Sequence, residues 1–178
     1  MRVVAGKLRH RNIEMTHLET TRETQDKVRG AIFNMIGPYF DGGVALDLFS
    51  GSGAMAIEAY SRGITEIYMN DIEPKAIHVC KQNCENLHIE HAHFSSLDYR
   101  IYLKQMNVTW DIIFLDPPYR MNQITEILSE VYPHLAKKGR IVFELAKESS
   151  YPLNYETLTA IKDKVYGIKR VVIYQEGS

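Results

Sequence analysis

Four aspartates, Asp47, Asp71, Asp98 and Asp116, stand where short apolar runs end. Asp47 closes VALD, Asp71 follows EIYMN, Asp98 lies just beyond HAHF, and Asp116 closes DIIFLD. Such runs read as buried strands, so each carboxylate is expected near the C-terminal end of one. Open α/β sheets bind ligands beyond those ends, so the four acids are expected to converge on one crevice. Any one of them alone could equally cap the helix that follows it.

The first unit runs Asp47-Leu48-Phe49-Ser50-Gly51-Ser52-Gly53-Ala54. Its glycines admit close approach to the backbone, and the helix start behind them offers free N–H groups. Gly51-x-Gly53-x-x-Ala56, with Asp71 following 20 residues after Gly51, satisfies the loose dinucleotide fingerprint. However, Asp47 lies four residues before Gly51, where it would face a pyrophosphate and repel it. The same carboxylate would welcome an amino group. S-adenosylmethionine carries one, with a sulfonium and no phosphate. Asp71 would then accept its ribose hydroxyls, and Asp98 would sit near the adenine amine.

The sharpest motif is Asp116-Pro117-Pro118-Tyr119. Two prolines stiffen the backbone and remove two N–H donors. The Asp116 carboxylate and the Pro117 carbonyl are then acceptors suited to an incoming amino group, which has two donors. Tyr119 offers a face on which a base can stack. The bland reading is a proline turn with a capping aspartate, and it weakens once the motif follows a fourth strand after the Asp-x-Phe-x-Gly-x-Gly unit.

These residues need a scaffold. The spacing predicts helices over 24–36 (capped by Thr24 and ended by Gly37-Pro38), 54–63, 73–87 and 124–135. Between them lie strands at VALDLF, EIYMND, HAHF, DIIFLD and GRIVFEL. Strands alternating with helices, several almost wholly apolar, indicate a parallel sheet covered on both faces. LTAIKDKVY and KRVVIYQ around Gly167 read as an antiparallel pair. A length of 178 residues fits one domain, with 1–43 as an N-terminal extension and 44–178 as the core. Two cysteines exclude a disulfide framework, and no apolar run is long enough for a membrane span, so a cytoplasmic protein is expected. The net charge of −1 excludes a global polycation but not a local basic patch. Residues 1–11 supply such a patch, with Arg2, Lys7, Arg9 and Arg11 and no acid.

The Asp47–Gly53 and Asp116–Tyr119 motifs together resemble S-adenosylmethionine-dependent, Rossmann-like methyltransferases that act on amino groups. Residues 2–11, RVVAGKLRHR, and 21–34, TRETQDKVRGAIFN, are similar to the N-terminal signatures of the RsmD family, and the likeness runs nearly end to end. The resemblance implies a class I methyltransferase fold: a mostly parallel seven-stranded sheet, helices on both faces and a C-terminal antiparallel hairpin. It implies methyl transfer to the exocyclic N2 amine of a guanine in 16S ribosomal RNA, free or in the small subunit, releasing S-adenosylhomocysteine. Asp47, Phe49, Ser50, Gly51, Gly53, Asp71, Ile72 and Asp98 would hold the cofactor. Asp116, Pro117, Pro118 and Tyr119 would hold the base, and Arg2, Lys7, Arg9, Arg11, Arg22, Lys27 and Arg29 would contact phosphates. Two positions depart from the family: His10 replaces a usual glycine, and Glu23 a usual proline.

Neighbouring chemistries keep the same grip on a flat NH2: adenine-N6 methylation of DNA, or glutamine methylation of protein. An oxidoreductase on this fold and a non-catalytic RNA binder are the other classes. Cys80, Cys84 and His88, four apart on one predicted helix with His91 and His93 beyond, have spacing that could present zinc ligands. Small cysteines packing on a sheet explain the spacing as well, and no metal is expected. Glu144 ends its strand near the crevice, as a structural residue or at the edge of the substrate site. No long apolar stripe demands a dimer, so a monomer is expected.

Overall fold

The computed structural model describes residues 1–16, 22–118, 121 and 123–177, and for Arg22, Glu23 and Thr24 the backbone alone. Strands β1 (Val44–Asp47), β2 (Glu66–Asn70), β3 (Ala92–Ser95), β4 (Trp110–Leu115), β5 (Leu135–Ala146), β6 (Asn154–Tyr155), β7 (Leu158–Tyr166) and β8 (Lys169–Glu176) form one sheet in the order β3-β2-β1-β4-β5-β8-β7-β6. The first five run parallel, while β8, β7 and β6 pair antiparallel. The sheet thus has eight strands where seven were expected. The eighth, β6, is a two-residue pairing with β7 that carries no apolar alternation to announce it.

Alternate residues of each strand point to opposite faces. Ala45, Ile67, Met69, Ile112, Phe114, Val142, Val171 and Ile173 form one face. Over it lie Met1, Val3 and Ile13 of the N-terminal segment and helices α1 (Arg22–Ile36), α2 (Ala54–Ser61) and α3 (Pro74–Asn86). Leu46, Tyr68, Trp110, Ile113, Ile141, Phe143, Val172 and Tyr174 form the other face, under α4 (Tyr99–Gln105) and α5 (Ile124–Val131). Helix α1 starts at Arg22, which leaves Thr24 inside the first turn and not at the cap. Helix α5 stops at Val131, and a 3₁₀ turn at Tyr132–His134 leads into β5, because Pro133 cannot extend the α-helical ladder.

The N-terminal segment is part of this body. It doubles back on itself through Val3 N–H to Arg11 O and Ile13 N–H to Met1 O (both 2.9 Å). Gly6 (φ +89°) lies so close to α2 that a Cβ there would meet the Ser61 carbonyl at 1.9 Å, so only glycine fits. His10 holds φ +70°, the left-handed conformation that glycine adopts freely.

Glu58 ties the segment down. Its carboxylate is fully buried on α2 and accepts from Val4 N (2.9 Å), Ala5 N (3.0 Å), Arg29 Nε (3.0 Å) and Arg62 Nε (2.8 Å). Arg29, 3% exposed, also bonds Asp26 and the Arg2 carbonyl. Arg29 is therefore a structural cation and not the phosphate contact expected of it. Breaking a buried pair leaves an uncompensated charge and costs about 3–5 kcal/mol. Glu58→Ala is expected to lose that much in urea unfolding and to expose the Val4 and Ala5 amides to hydrogen exchange. A loss under about 1 kcal/mol would show that the network does not hold the segment.

Candidate active site

The strand order reverses between β1 and β4, since β2 follows on one side of β1 and β4 returns on the other. That reversal opens a crevice at the carboxyl ends of the two strands. Asp47 ends β1 and Asp116 directly follows β4. Asp47 alternates with Ala45, Asp116 with Phe114, and Glu144 with Val142, so all three acids share the face that carries α1 and the N-terminal segment.

The three differ in exposure. Asp47 is 3% exposed. Burial, then repulsion from Asp116, Glu144 and Asp71, raises its carboxyl well above the usual carboxylate range, opposed by a backbone hydrogen bond from Ala56. Glu144 is nearly buried, and burial together with the Asp116 charge pushes it up to about 7 against the pull of Lys169. The Asp116 side chain is 43% exposed, open to an incoming group. Asp116, Pro117, Pro118, Met121, Ile124, Glu144 and Lys169 help line an open pocket of about 380 Å³, solvent included. Beyond the prolines, Met121 N–H donates to the Pro118 carbonyl at 2.8 Å. Tyr119 lies outside the described residues.

The loop after β1 turns tightly. Gly53 N–H donates to Ser50 O (2.8 Å), Ser50 N–H to Asn70 O (2.9 Å), and Gly53 adopts φ +82° before α2. A Cβ on Gly53 would press on Met69 Sδ and Cys80 Sγ at 3.0 and 3.1 Å. Phe49 lies against Tyr99, ring centroids 5.5 Å apart. Asp71 Oδ2 accepts from Gly51 N and Oδ1 from Glu73 N, both at 2.9 Å, so it braces the glycine loop while each oxygen keeps a further lone pair. Ile72, 63% exposed, continues the same rim. Asp98 takes the bland role: it caps α4, accepting from Arg100 N at 2.9 Å.

Three contributors escaped the sequence reading. Asn70, 1% exposed, donates to Leu97 O (3.0 Å) and accepts from Leu97 N (3.2 Å), fixing the Asp98 loop to β2. Glu58 is the second. Lys169 is the third, bonding Asp116 and Glu144 across the pocket. Cys80 and Cys84 are buried, and desolvation pushes both thiols up to about 12. His88 and His91 are exposed, and His93 stacks on Tyr68 and bonds Glu66. Among the described residues no three His, Cys, Asp or Glu side chains gather closely enough to hold a metal.

The basic residues divide. Arg2, Lys7, Arg9, Arg11 and Lys27 are exposed, whereas Arg29 is not. Lys7 lies over the Tyr60 ring at 3.9 Å, and Arg11 Nη2 donates to Asn86 O at 3.1 Å. The Arg22 side chain lies outside the described residues. Among the described residues no helix is long and apolar enough to cross a membrane.

The family model described as "Conserved hypothetical protein 95" matches residues 1–175. "Putative rRNA methyltransferase YlbH" of Bacillus subtilis is 38% identical over 99% of both chains. "Ribosomal RNA small subunit methyltransferase D" of Haemophilus influenzae is 29% identical, over 98% of this chain and 93% of its own. A solved structure of a conserved hypothetical protein from Streptococcus pyogenes superposes with a TM-score of 0.80 at 36% identity, over 84% of this chain and 95% of that one. The match covers the N-terminal segment, the glycine loop, the Asp-Pro-Pro-Tyr motif and the hairpin alike, and the chain belongs to the conserved hypothetical protein 95 family, the RsmD methyltransferases.

Proposed function

We propose that the protein transfers a methyl group from S-adenosylmethionine to the exocyclic N2 amine of a guanine in 16S ribosomal RNA. The observation that carries this reading is the placement of Asp47 and Asp116 at the ends of β1 and β4, on one face of the sheet, across its topological switch. The lining fits the cofactor. Buried Asp47, with Asp116, Glu144 and Asp71 near it, suits a cationic ligand and repels a pyrophosphate. Asp47 would hold the amino group, Phe49, Ser50, Gly51 and Gly53 would shape the loop, and Asp71 and Ile72 would line the ribose and adenine side. The 2.9 Å cap bond of Asp98 reduces its expected part to one spare oxygen beside the adenine.

S-adenosylmethionine supplies an electrophilic methyl on a sulfonium that is itself a good leaving group. The protein's task is alignment, which is worth much of such a reaction. A guanine amine is a weak nucleophile because its lone pair spreads into the ring. Hydrogen bonds from that NH2 to Asp116 and the Pro117 carbonyl would pyramidalise the nitrogen and aim its lone pair at the methyl. The N–C bond would form as the C–S bond breaks, leaving the neutral thioether S-adenosylhomocysteine, and the extra amine proton would then pass to solvent. Tyr119 would stack the base once it leaves its own stack, a step costing a few kcal/mol.

The exposed cations Arg2, Lys7, Arg9, Arg11 and Lys27 would meet phosphates. Neutralising Arg9 and Arg11 together is expected to weaken RNA binding and flatten its salt dependence by up to ~2 slope units. An unchanged slope would remove the segment from the interface. The substrate reading is tested with labelled cofactor against small ribosomal subunits from cells lacking the protein, DNA, and a release factor. Label is expected in the small-subunit RNA alone. Label in DNA or in the release factor would move the reading to adenine or glutamine methylation.

A further inference from the structure

We propose that Lys169 is a positioning residue for methyl transfer: its ammonium, steadied by Glu144, turns the Asp116 carboxylate so that one oxygen stays available to the target amine. This rests on the reading of Asp116 as the group that grips that amine.

Lys169 Nζ lies 3.1 Å from Asp116 Oδ2 and 3.5 Å from Glu144 Oε1. All three line the same pocket. The bridge joins three elements distant in sequence. Glu144 lies on β5, and Lys169 begins β8, where the antiparallel register sets it opposite Ala146. Asp116 follows β4, which pairs with β5 on the other side. Two central strands therefore fix the ends of a contact that reaches out to an exposed loop carboxylate. A carboxylate on a rigid proline turn but 43% exposed is free to rotate. An ammonium on Oδ2 would restrict that freedom and leave Oδ1 to accept from the target amine.

The charge balance points the same way. Asp47 at the end of β1, Asp71 after β2, Asp116 after β4 and Glu144 on β5 surround the crevice, and Lys169 brings a positive charge among them. When a cationic cofactor enters beside Asp47, Lys169 holds Asp116 as an acceptor instead of letting it turn toward the new charge. Lysine suits this task because its ammonium donates to both carboxylates at once and accepts from neither.

The test compares full-length wild type with Lys169→Met, Lys169→Arg, Glu144→Gln and Asp116→Ala on small ribosomal subunits from cells lacking the protein. Lys169→Met is expected to lower kcat by about 10²-fold, the scale of a misplaced reacting group. Its affinity for S-adenosylmethionine should stay within about two-fold by calorimetry, and the acid limb of its kcat–pH profile should move upward as the carboxylates lose their counter-charge. Lys169→Arg should restore kcat to within a few-fold, since the guanidinium keeps the charge and the donors. Glu144→Gln should lower kcat severalfold with cofactor affinity unchanged. If Lys169→Met does not fold, as judged by its thermal transition, the Glu144→Gln and Lys169→Arg arms decide. Wild-type kcat and pH profile in Lys169→Met, or in Glu144→Gln, would overturn the proposal, as would a loss that arginine fails to rescue. Asp116→Ala separates the two levels. Inactive Asp116→Ala beside fully active Lys169→Met removes only the role of Lys169, whereas active Asp116→Ala removes the reading beneath it.

Discussion

Asp116→Ala is expected to abolish methyl transfer, with kcat falling at least ~10²-fold, while affinity for S-adenosylmethionine stays within a few-fold. The residue lies in the open pocket after β4, and in the proposed reaction its carboxylate would be the charged acceptor for the target amine. Alanine leaves the Pro117 carbonyl to receive one of two N–H donors, so the amine can rotate out of line with the methyl. Misplacement on that scale is enough for a loss of two orders of magnitude. Folding should be spared, because Lys169 keeps Glu144 as a partner. Single-turnover kinetics with labelled cofactor measure the loss. A variant with more than about a tenth of wild-type kcat would show that another group orients the base.

Asp47→Asn should have the second largest effect, on cofactor binding. A hydrogen bond to a charged group contributes about 1.5–3 kcal/mol, so affinity should fall by roughly ten- to over a hundred-fold. The sign of the pH dependence follows from the direction of the shift. Folding raises the Asp47 carboxyl above the ordinary range. Its contribution to the stability of the free protein is therefore complete below the unfolded value and is lost as pH rises through the folded one. A cationic ligand favours the charged form, so binding releases a proton and tightens as pH rises. Wild-type affinity is expected to weaken as pH falls, with proton release visible in buffers of different ionisation enthalpy. Asp47→Asn should flatten that dependence. A pH-independent wild-type affinity would contradict the role of Asp47.

The parts of the site that the sequence exposes are those set by local chain chemistry. Asp47 and Asp116 each terminate an apolar run, and the glycines and prolines around them announce tight backbone. The parallel core and the Gly167 hairpin follow from the same periodicities. What escaped depends on register and tertiary approach. Lys169 reaches Asp116 only because β8 pairs with β5 in one particular alignment. Arg29 looks like a surface cation beside Lys27, yet its spacing to Ile32 and Ile36 sets it on the buried face of α1. Glu58, flanked by Ile57 and Ala59 in a helix apolar almost throughout, carried the complementary signal. An acid and a base, each alone on an apolar face in separate helices, suggest one another, but only the fold brings them to 3.0 Å. Asp98 was ambiguous for a physical reason: a carboxylate that can bind a ligand can also cap a helix, and here the cap bond is made.

The proposed role of Asp116 and Pro117 is to present a guanine amine of small-subunit RNA to the cofactor's methyl. Its most direct test is the identity of the methylated nucleoside. Small ribosomal subunits from cells lacking the protein are incubated with wild-type protein and labelled S-adenosylmethionine, and the RNA is digested to nucleosides and separated. Label is expected in N2-methylguanosine, and none with Asp116→Ala. Label in any other nucleoside, in protein, or in nothing at all would contradict it.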